Sequence, residues 1–188
     1  GDDMILNEGT VEGDIATGDG DDLIAILGGS VTGNIDAGSG LNLIAFGADE
    51  GETTRLTGNV TNVDMAAIVG GVVQIDGGVD ASLDVVGGTL TGNTAVTGDL
   101  VNRGAVSPGN SIGTITVGGD YGQAEGAVLN VELAKPIDGL TDNDRLVVAG
   151  DVMLESGAII QVSHAPGDRA VFRVNDWFAV ITAGGTIT

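Results

Sequence analysis

Short apolar runs separated by Gly, Asn, Asp or Ser recur along the chain with a period of about 20 residues. The segment Gly1–Ile5 returns as Gly20–Ile24 and, with Asn in place of Asp, as Gly40–Ile44, while Val11–Ile15 returns as Val31–Ile35. No segment carries apolar residues at i, i+3 and i+4 over ten residues, and the period is too short for a strand–helix–strand unit of about 30 residues. The pattern therefore predicts an all-β parallel β-helix, in which each coil of two or three short strands pairs with its neighbours.

Alternation within the runs predicts which side chains face the interior of such a coil. Apolar positions should stack on their equivalents one coil later, and the intervening Ala, Thr, Asp and Asn should face water. Pairs of glycines should mark the corners, where a positive φ is often required. The predicted inward residues are Leu23, Ile26, Val31 and Ile35, and the predicted corners are Gly28-Gly29, Gly70-Gly71, Gly77-Gly78 and Gly87-Gly88.

Departures from the period suggest how the chain is divided. Residues 49–55, DEGETTR, interrupt the repeat and predict a loop that bulges from the column. Beyond Asn102-Arg103 the apolar runs lengthen, at Ala127–Leu133 and Ala158–Val162, and loops are predicted at Pro136–Asp144 and His164–Arg169. We therefore predict regular coils over 1–103 and a different C-terminal part over 104–188. The predicted strands between the loop and this boundary are Leu56–Val60, Ala66–Val69, Val72–Ile75, Leu83–Val86, Thr89–Leu90 and Leu100–Val101.

Several elements of the C-terminal part occur in an order that resembles a known family. They are Ser107–Gly113, SPGNSIG; Asp120-Tyr121; Asp144–Gly150, DRLVVAG; and Trp177–Gly185, which ends in TAGG. This order resembles the C-terminal end of the passenger of type V autotransporters, which are secreted proteins of Gram-negative bacteria. The resemblance implies a right-handed, single-stranded, pectin-lyase-like β-helix over 1–103, closed by a β-sandwich-like autochaperone cap over 104–188.

The resemblance also implies a function and a location. The chain would be the membrane-proximal passenger segment, a stalk and folding template during secretion to the bacterial surface through the periplasm and outer membrane. Its partner would be its own C-terminal outer-membrane β-barrel, which this chain does not contain. The alternative is an adhesin that binds host cell or matrix molecules. The expected cap core is structural and comprises Ile112, Ile115, Tyr121, Leu146, Val148, Trp177 and Phe178.

Charge and composition narrow the possible functions. The formal net charge is −21, with 27 acidic against 6 basic residues, so the chain should repel nucleic acid, whose phosphates require clustered Lys and Arg. It has no cysteine for a disulfide or thiolate chemistry. The first residues lie in mid-pattern, which predicts an internal fragment of a larger protein. Few exposed apolar residues are expected, which favours a stalk over an adhesin.

Candidate chemical sites are sparse. Gly18–Ile24, GDGDDLI, resembles half of a calcium-binding RTX repeat, with Asp19, Asp21 and Asp22 as potential ligands, but RTX repeats return every nine residues and this one does not. Stacked coils could pair Asp3 with Asp22 as in a glycosidase, but residues 1–120 contain no Trp or Tyr to bind a sugar. A lone His164 is a poor metal ligand. We therefore expect neither an enzyme nor a cofactor.

Overall fold

The computed structural model describes residues 1–134, 142–168 and 171–188. Every regular element in these ranges is a β-strand. Most of the loop predicted at Pro136–Asp144 and the end of the loop predicted at His164–Arg169 lie outside the described residues. The described parts of these two predictions need correction, because Asp142–Asn143 form a strand and His164 is the last residue of another strand.

The strands are short, and most of them follow the pattern of apolar runs. They are β1 (Met4–Asn7), β2 (Thr10–Val11), β3 (Ile15–Ala16), β4 (Leu23–Ile26), β5 (Ser30–Val31), β6 (Ile35–Asp36), β7 (Leu43–Phe46), β8 (Thr53–Leu56), β9 (Val60–Thr61), β10 (Met65–Ile68), β11 (Val72–Ile75), β12 (Gly78–Val79), β13 (Leu83–Val85), β14 (Thr89–Gly92), β15 (Ala95–Val96), β16 (Leu100–Asn102), β17 (Ala105–Pro108), β18 (Thr114–Val117), β19 (Tyr121–Gln123), β20 (Val128–Ala134), β21 (Asp142–Asn143), β22 (Arg145–Val148), β23 (Val152–Leu154), β24 (Ile159–His164) and β25 (Ile181–Ala183).

The strands form three sheets, and successive coils add one strand to each. Sheet A has the order β1-β4-β7-β10-β13-β16-β19-β23, sheet B runs from β2 through β5, β8, β11, β14 and β17 to β20, and sheet C runs from β3 through β6, β9, β12, β15, β18 and β22 to β25. The long strand β20 also pairs with β24 in parallel and with β21 antiparallel. The other strand pairs are parallel, so the chain has the predicted all-β, parallel β-helix-like architecture. All three sheets continue across residue 103, and the division there stays a prediction.

One column of aliphatic side chains fills the space between the sheets. Ile26, Val31 and Ile35 are buried there as predicted. The prediction for Leu23 was wrong: Leu23 is 44% exposed, and its neighbour Ile24 is buried. Both residues are equally apolar, so alternation alone could not set the phase of this strand. The register aligns Met4, Leu23, Leu43 and Met65 on the outer face of sheet A, one above the other.

The interruption at 49–55 is shorter than predicted. Only the turn at residues 49–52 leaves the column, and it is closed by a hydrogen bond from the Glu52 amide to the Asp49 carbonyl. The chain then enters β8, where the buried Thr54 hydroxyl donates to the Gly47 carbonyl at 2.5 Å. The prediction that Thr53–Arg55 belong to the loop was therefore wrong. The buried Thr54 is tolerated in this strand because the Gly47 carbonyl accepts its hydrogen bond.

Glycines at the corners have two separate roles. Gly29 adopts a positive φ of 63°, as the sequence predicted. Gly77 does not adopt a positive φ, but a Cβ atom at this residue would lie 1.8 Å from the Gly58 carbonyl oxygen in the preceding coil. Consecutive coils thus bring their backbones into direct contact at this corner, and glycine is required there for close approach.

We expect Gly77→Ala to lower the free energy of unfolding by about 1–3 kcal/mol, because the new methyl group would push two coils apart. Gly122→Ala is the matched control, since a Cβ at Gly122 meets no atom within 4 Å. That substitution should change stability by less than about 1 kcal/mol. Urea titrations of both variants measure the difference, and equal costs would show that corner contact does not require glycine.

Candidate functional site

Three similar segments near the C-terminus occupy equivalent positions in consecutive coils. We call residues 113–121, 144–152 and 180–187 the C-terminal stack. Each segment contains a strand of sheet C and a corner; the first two segments end at the start of a sheet A strand, and the third ends at Ile187, which bridges to Val152. The register pairs Ile115 with Leu146 and Leu146 with Ile181, although the separations along the chain are 31 and 35 residues. The DRLVVAG motif therefore pairs on one side with the strand that follows SPGNSIG and on the other with the strand that leads into TAGG.

Aspartates at the corner of the C-terminal stack form a ladder between coils. The Asp99 carboxylate accepts from the Asp120 amide at 2.8 Å, Asp120 accepts from the Asp151 amide at 2.7 Å, and Asp151 accepts from the Thr186 amide at 2.7 Å. The amide and hydroxyl of Thr186 together hold the pKa of Asp151 below its usual range. This ladder was not predicted from the sequence, although a Gly-Asp pair before an apolar or aromatic residue recurs at 98–100, 119–121 and 150–152.

Asp144 joins two of the family-like motifs and is almost completely buried. Its carboxylate accepts from the Gly113 amide and from the Glu132 amide, both at 2.8 Å. Burial raises the pKa of Asp144 to about 6, and the charges of Glu132 and Asp142 add to this effect, while the two amides oppose it. The carboxyl group thus ties the SPGNSIG turn to β20 and the start of β22.

A network of buried polar side chains surrounds Tyr121, which is itself fully buried. The Asn102 amide donates to the Tyr121 hydroxyl at 3.2 Å, and that hydroxyl donates to Oε1 of Gln123 at 3.0 Å. Nε2 of Gln123 in turn donates to the carbonyls of Ala127 and Ile159, each at 2.8 Å. Burial raises the pKa of Tyr121 far above its usual range. This network connects sheet A to sheet B in three consecutive coils.

The predicted cap core divides into buried and exposed residues. Ile115, Tyr121, Leu146 and Val148 are buried in the column, and Ile112 and Phe178 are half-buried. Trp177 is 76% exposed, so its expected place in the core was wrong. Trp177 precedes β25 in a segment without regular strand structure, and therefore no alternation directs its side chain inward.

Aromatic rings in the C-terminal part form a small cluster. Phe172 and Phe178 meet edge to face with ring centroids 5.2 Å apart. His164 stacks on Phe172 with centroids 4.6 Å apart, and its Nδ1 lies 3.7 Å from the Asp168 carboxylate. His164 thus packs against the segment that follows β24.

The candidate calcium ligands take part in hydrogen bonds between coils. Asp19 accepts from the Ser39 hydroxyl at 2.5 Å, Asp21 from the Leu41 amide at 2.8 Å, and Asp22 from the Asp3 amide at 2.8 Å. Hydrogen bonds from Thr17 and from the Asp3 amide lower the pKa of Asp22. Within residues 1–134, 142–168 and 171–188, no group of three or more His, Asp or Glu side chains is placed to hold a metal ion.

The expectation that few apolar side chains would be exposed was wrong. Large apolar residues stand on the outer face of sheet A in its first four strands, where Met4 is 78% exposed and Met65 is 57% exposed. These residues belong to different coils and are separated in the sequence. The parallel register brings them together on one surface.

Comparisons with known proteins do not assign the chain to a family. No protein-family model matches the sequence, and no curated protein matches it significantly. Among the described residues, no helix has the length and apolar character needed to cross a membrane.

Proposed function

We propose that this chain is the membrane-proximal part of an autotransporter passenger and acts as a stalk and folding template. In this proposal the coils wind in a right-handed sense, and residues 104–188 form the autochaperone cap. The observation that supports it most strongly is the C-terminal stack, in which the DRLVVAG and TAGG motifs pair in register and the SPGNSIG motif is bonded to Asp144 through the Gly113 amide. The partner would be the protein's own outer-membrane barrel, and the location would be the surface of a Gram-negative bacterium.

The mechanism rests on the way coils add to one another. A parallel β-helix gains its hydrogen bonds between neighbouring coils, so a finished coil presents a row of amides and carbonyls on which the next coil can pair. Forming the first coil is costly, because residues far apart in sequence must be ordered before contacts repay the loss of entropy. A part of the chain that folds readily would therefore determine where growth begins.

The C-terminal coils have the features required of such a starting point. Asp144 joins elements that lie 31 residues apart, and the Tyr121 network connects three coils. The Gly-Asp ladder continues this bonding to Thr186. If this part emerges first on the far side of the membrane and folds there, the acidic chain behind it would be retained outside as each new coil pairs.

A matched pair of substitutions in the full chain tests this role. Ile35 and Ile115 are both fully buried isoleucines of sheet C, the first in the N-terminal coils and the second in the C-terminal stack. Truncation to Ala should cost about 2–5 kcal/mol at each site. We expect Ile115→Ala to slow refolding, whereas Ile35→Ala should mainly accelerate unfolding.

Stopped-flow refolding and unfolding of both variants measure these rates. Slower refolding in Ile35→Ala with unchanged refolding in Ile115→Ala would place the nucleus in the N-terminal coils and reject the template role.

The second candidate function is an adhesin. The exposed apolar face of sheet A favours it, because a stalk needs no such surface. Host cell or matrix molecules would then be the partners, and binding of the purified chain to immobilised matrix proteins would support this alternative.

A further inference from the structure

The exposed apolar surface of sheet A forms a continuous two-column patch. One column contains Met4, Leu23, Leu43 and Met65, which are 78%, 44%, 40% and 57% exposed. The other begins with Leu6, which is 60% exposed, and continues with three smaller side chains in register. We call this surface the apolar face and define it by Met4, Leu6, Leu23, Ala25, Leu43, Ala45, Met65 and Ala67.

The apolar face has a definite limit on its C-terminal side. There it ends at Asp84, which is aligned with Ala67 and forms an ion pair with Arg103. Across the strands it adjoins Leu27 and Val69, whose side chains lie on either side of Gly47. From β1 to β10, four strands spaced about 4.8 Å apart extend the two columns over roughly 14 Å along the axis. This size suits a short segment of polypeptide.

Stacking of further coils cannot bury the apolar face. Coils pair through the edges of the sheets, along the axis of the solenoid, whereas these side chains point away from that axis. The exposure therefore belongs to the flank of the molecule. Removing such a surface from water would be favourable, at about 25 cal/mol for each Å² of apolar area.

The charge around the apolar face restricts its occupant. Residues 1–54 include twelve Asp and Glu and no Lys or Arg. Asp2, Asp3 and Asp21 lie immediately before the strands that carry the face, and Glu8 follows the first of them. A second copy would bring an equally acidic rim into contact, and an anionic surface would be repelled in the same way.

We propose that the apolar face docks a cationic polypeptide segment that presents apolar side chains, such as one side of a basic amphipathic helix. Apolar residues of the partner would cover the face, and its Lys and Arg would meet the acidic residues at the ends of the strands. This inference goes beyond the stalk role and does not depend on secretion.

A fluorescein-labelled amphipathic helix of Leu and Lys, titrated with the full chain, tests the proposal by fluorescence anisotropy. The double variant Leu43→Ser, Met65→Ser should bind at least about tenfold more weakly, because two large apolar contacts are lost. The matched control is Val147→Ser, Met153→Ser on β22 and β23, where the original side chains are 37% and 62% exposed and lie on the outer faces of the sheets. The control should bind like the unmodified chain, and added salt should weaken all binding.

Equal affinities of the two double variants would overturn the proposal, since the peptide would then be held by acidity alone. Equally tight binding of a matched Leu and Glu helix would overturn the requirement for a cationic partner. Sedimentation that reveals a dimer lost only in Leu43→Ser, Met65→Ser would assign the face to a second copy. Adsorption to phosphatidylcholine vesicles lost in the same variant would assign it to lipid. Circular dichroism and urea midpoints of both variants should match the unmodified chain, because all four side chains are exposed.

Discussion

Tyr121→Ala should produce the largest loss of stability of any substitution considered for this chain. We expect the free energy of unfolding to fall by about 3–5 kcal/mol, because a large and fully buried side chain is removed from the column. The loss also deprives Gln123 Oε1 of its donor and Asn102 of one acceptor. Equilibrium unfolding in urea, followed by circular dichroism, measures the change.

Tyr121→Phe separates the two contributions. The ring is retained, and only the hydroxyl that links Asn102 to Gln123 is lost, so the expected cost is about 1–3 kcal/mol. A cost for Tyr121→Ala below that of Tyr121→Phe would mean that the site relaxes to fill the space, contrary to the tight packing described above.

The second large effect is a dependence of stability on pH that arises from Asp144. Because burial raises the pKa of the Asp144 carboxyl from its ordinary value of about 3.9 to about 6 in the folded protein, the folded state binds the proton more tightly than the unfolded chain. The stabilisation is fully present below the lower of these values and is lost as pH rises through about 6. The loss should reach about 3 kcal/mol at neutral pH.

Asp144→Asn isolates this contribution from that of the other acidic groups. The variant cannot ionise here, but it also replaces an acceptor of the Gly113 and Glu132 amides, so it should be less stable than the unmodified chain at pH 4. The stability difference between the two proteins should shrink by about 2 kcal/mol between pH 4 and pH 7. A difference that stays constant across this range would contradict a raised pKa at Asp144.

The period of the apolar runs was sufficient to predict the architecture. Gly-rich corners and runs of two to four apolar residues can form strands only if neighbouring coils supply the pairing, and the three parallel sheets confirm this prediction. The phase within a strand was harder to predict, as at Leu23 and Ile24, because two adjacent aliphatic residues carry no alternation. The loop predicted at 49–55 extended too far, into β8, because Thr and Arg are poor indicators of a buried strand.

Parts of the candidate site could not be predicted from the sequence because they depend on the register between coils. The recurring Gly-Asp pair marks Asp99, Asp120 and Asp151 in the sequence, but their irregular spacing does not show which coils they join. The burial of Asp144 depends on two segments that lie far from it. The apolar face is the clearest example, since Met4 and Met65 lie 61 residues apart in the sequence. Only the alignment of four strands makes them one surface. The outward position of Trp177 follows from the absence of a strand at that residue.

The order in which amides become protected during refolding of the full chain tests the template role most directly. Pulsed hydrogen exchange with mass spectrometry should find protection first in the C-terminal stack, at residues 113–121 and 144–152, and later in β1 to β9. Protection should then spread towards the N-terminus one coil at a time. Earlier protection of β1 to β9, or simultaneous protection of all coils, would contradict the proposal that the C-terminal part templates the rest.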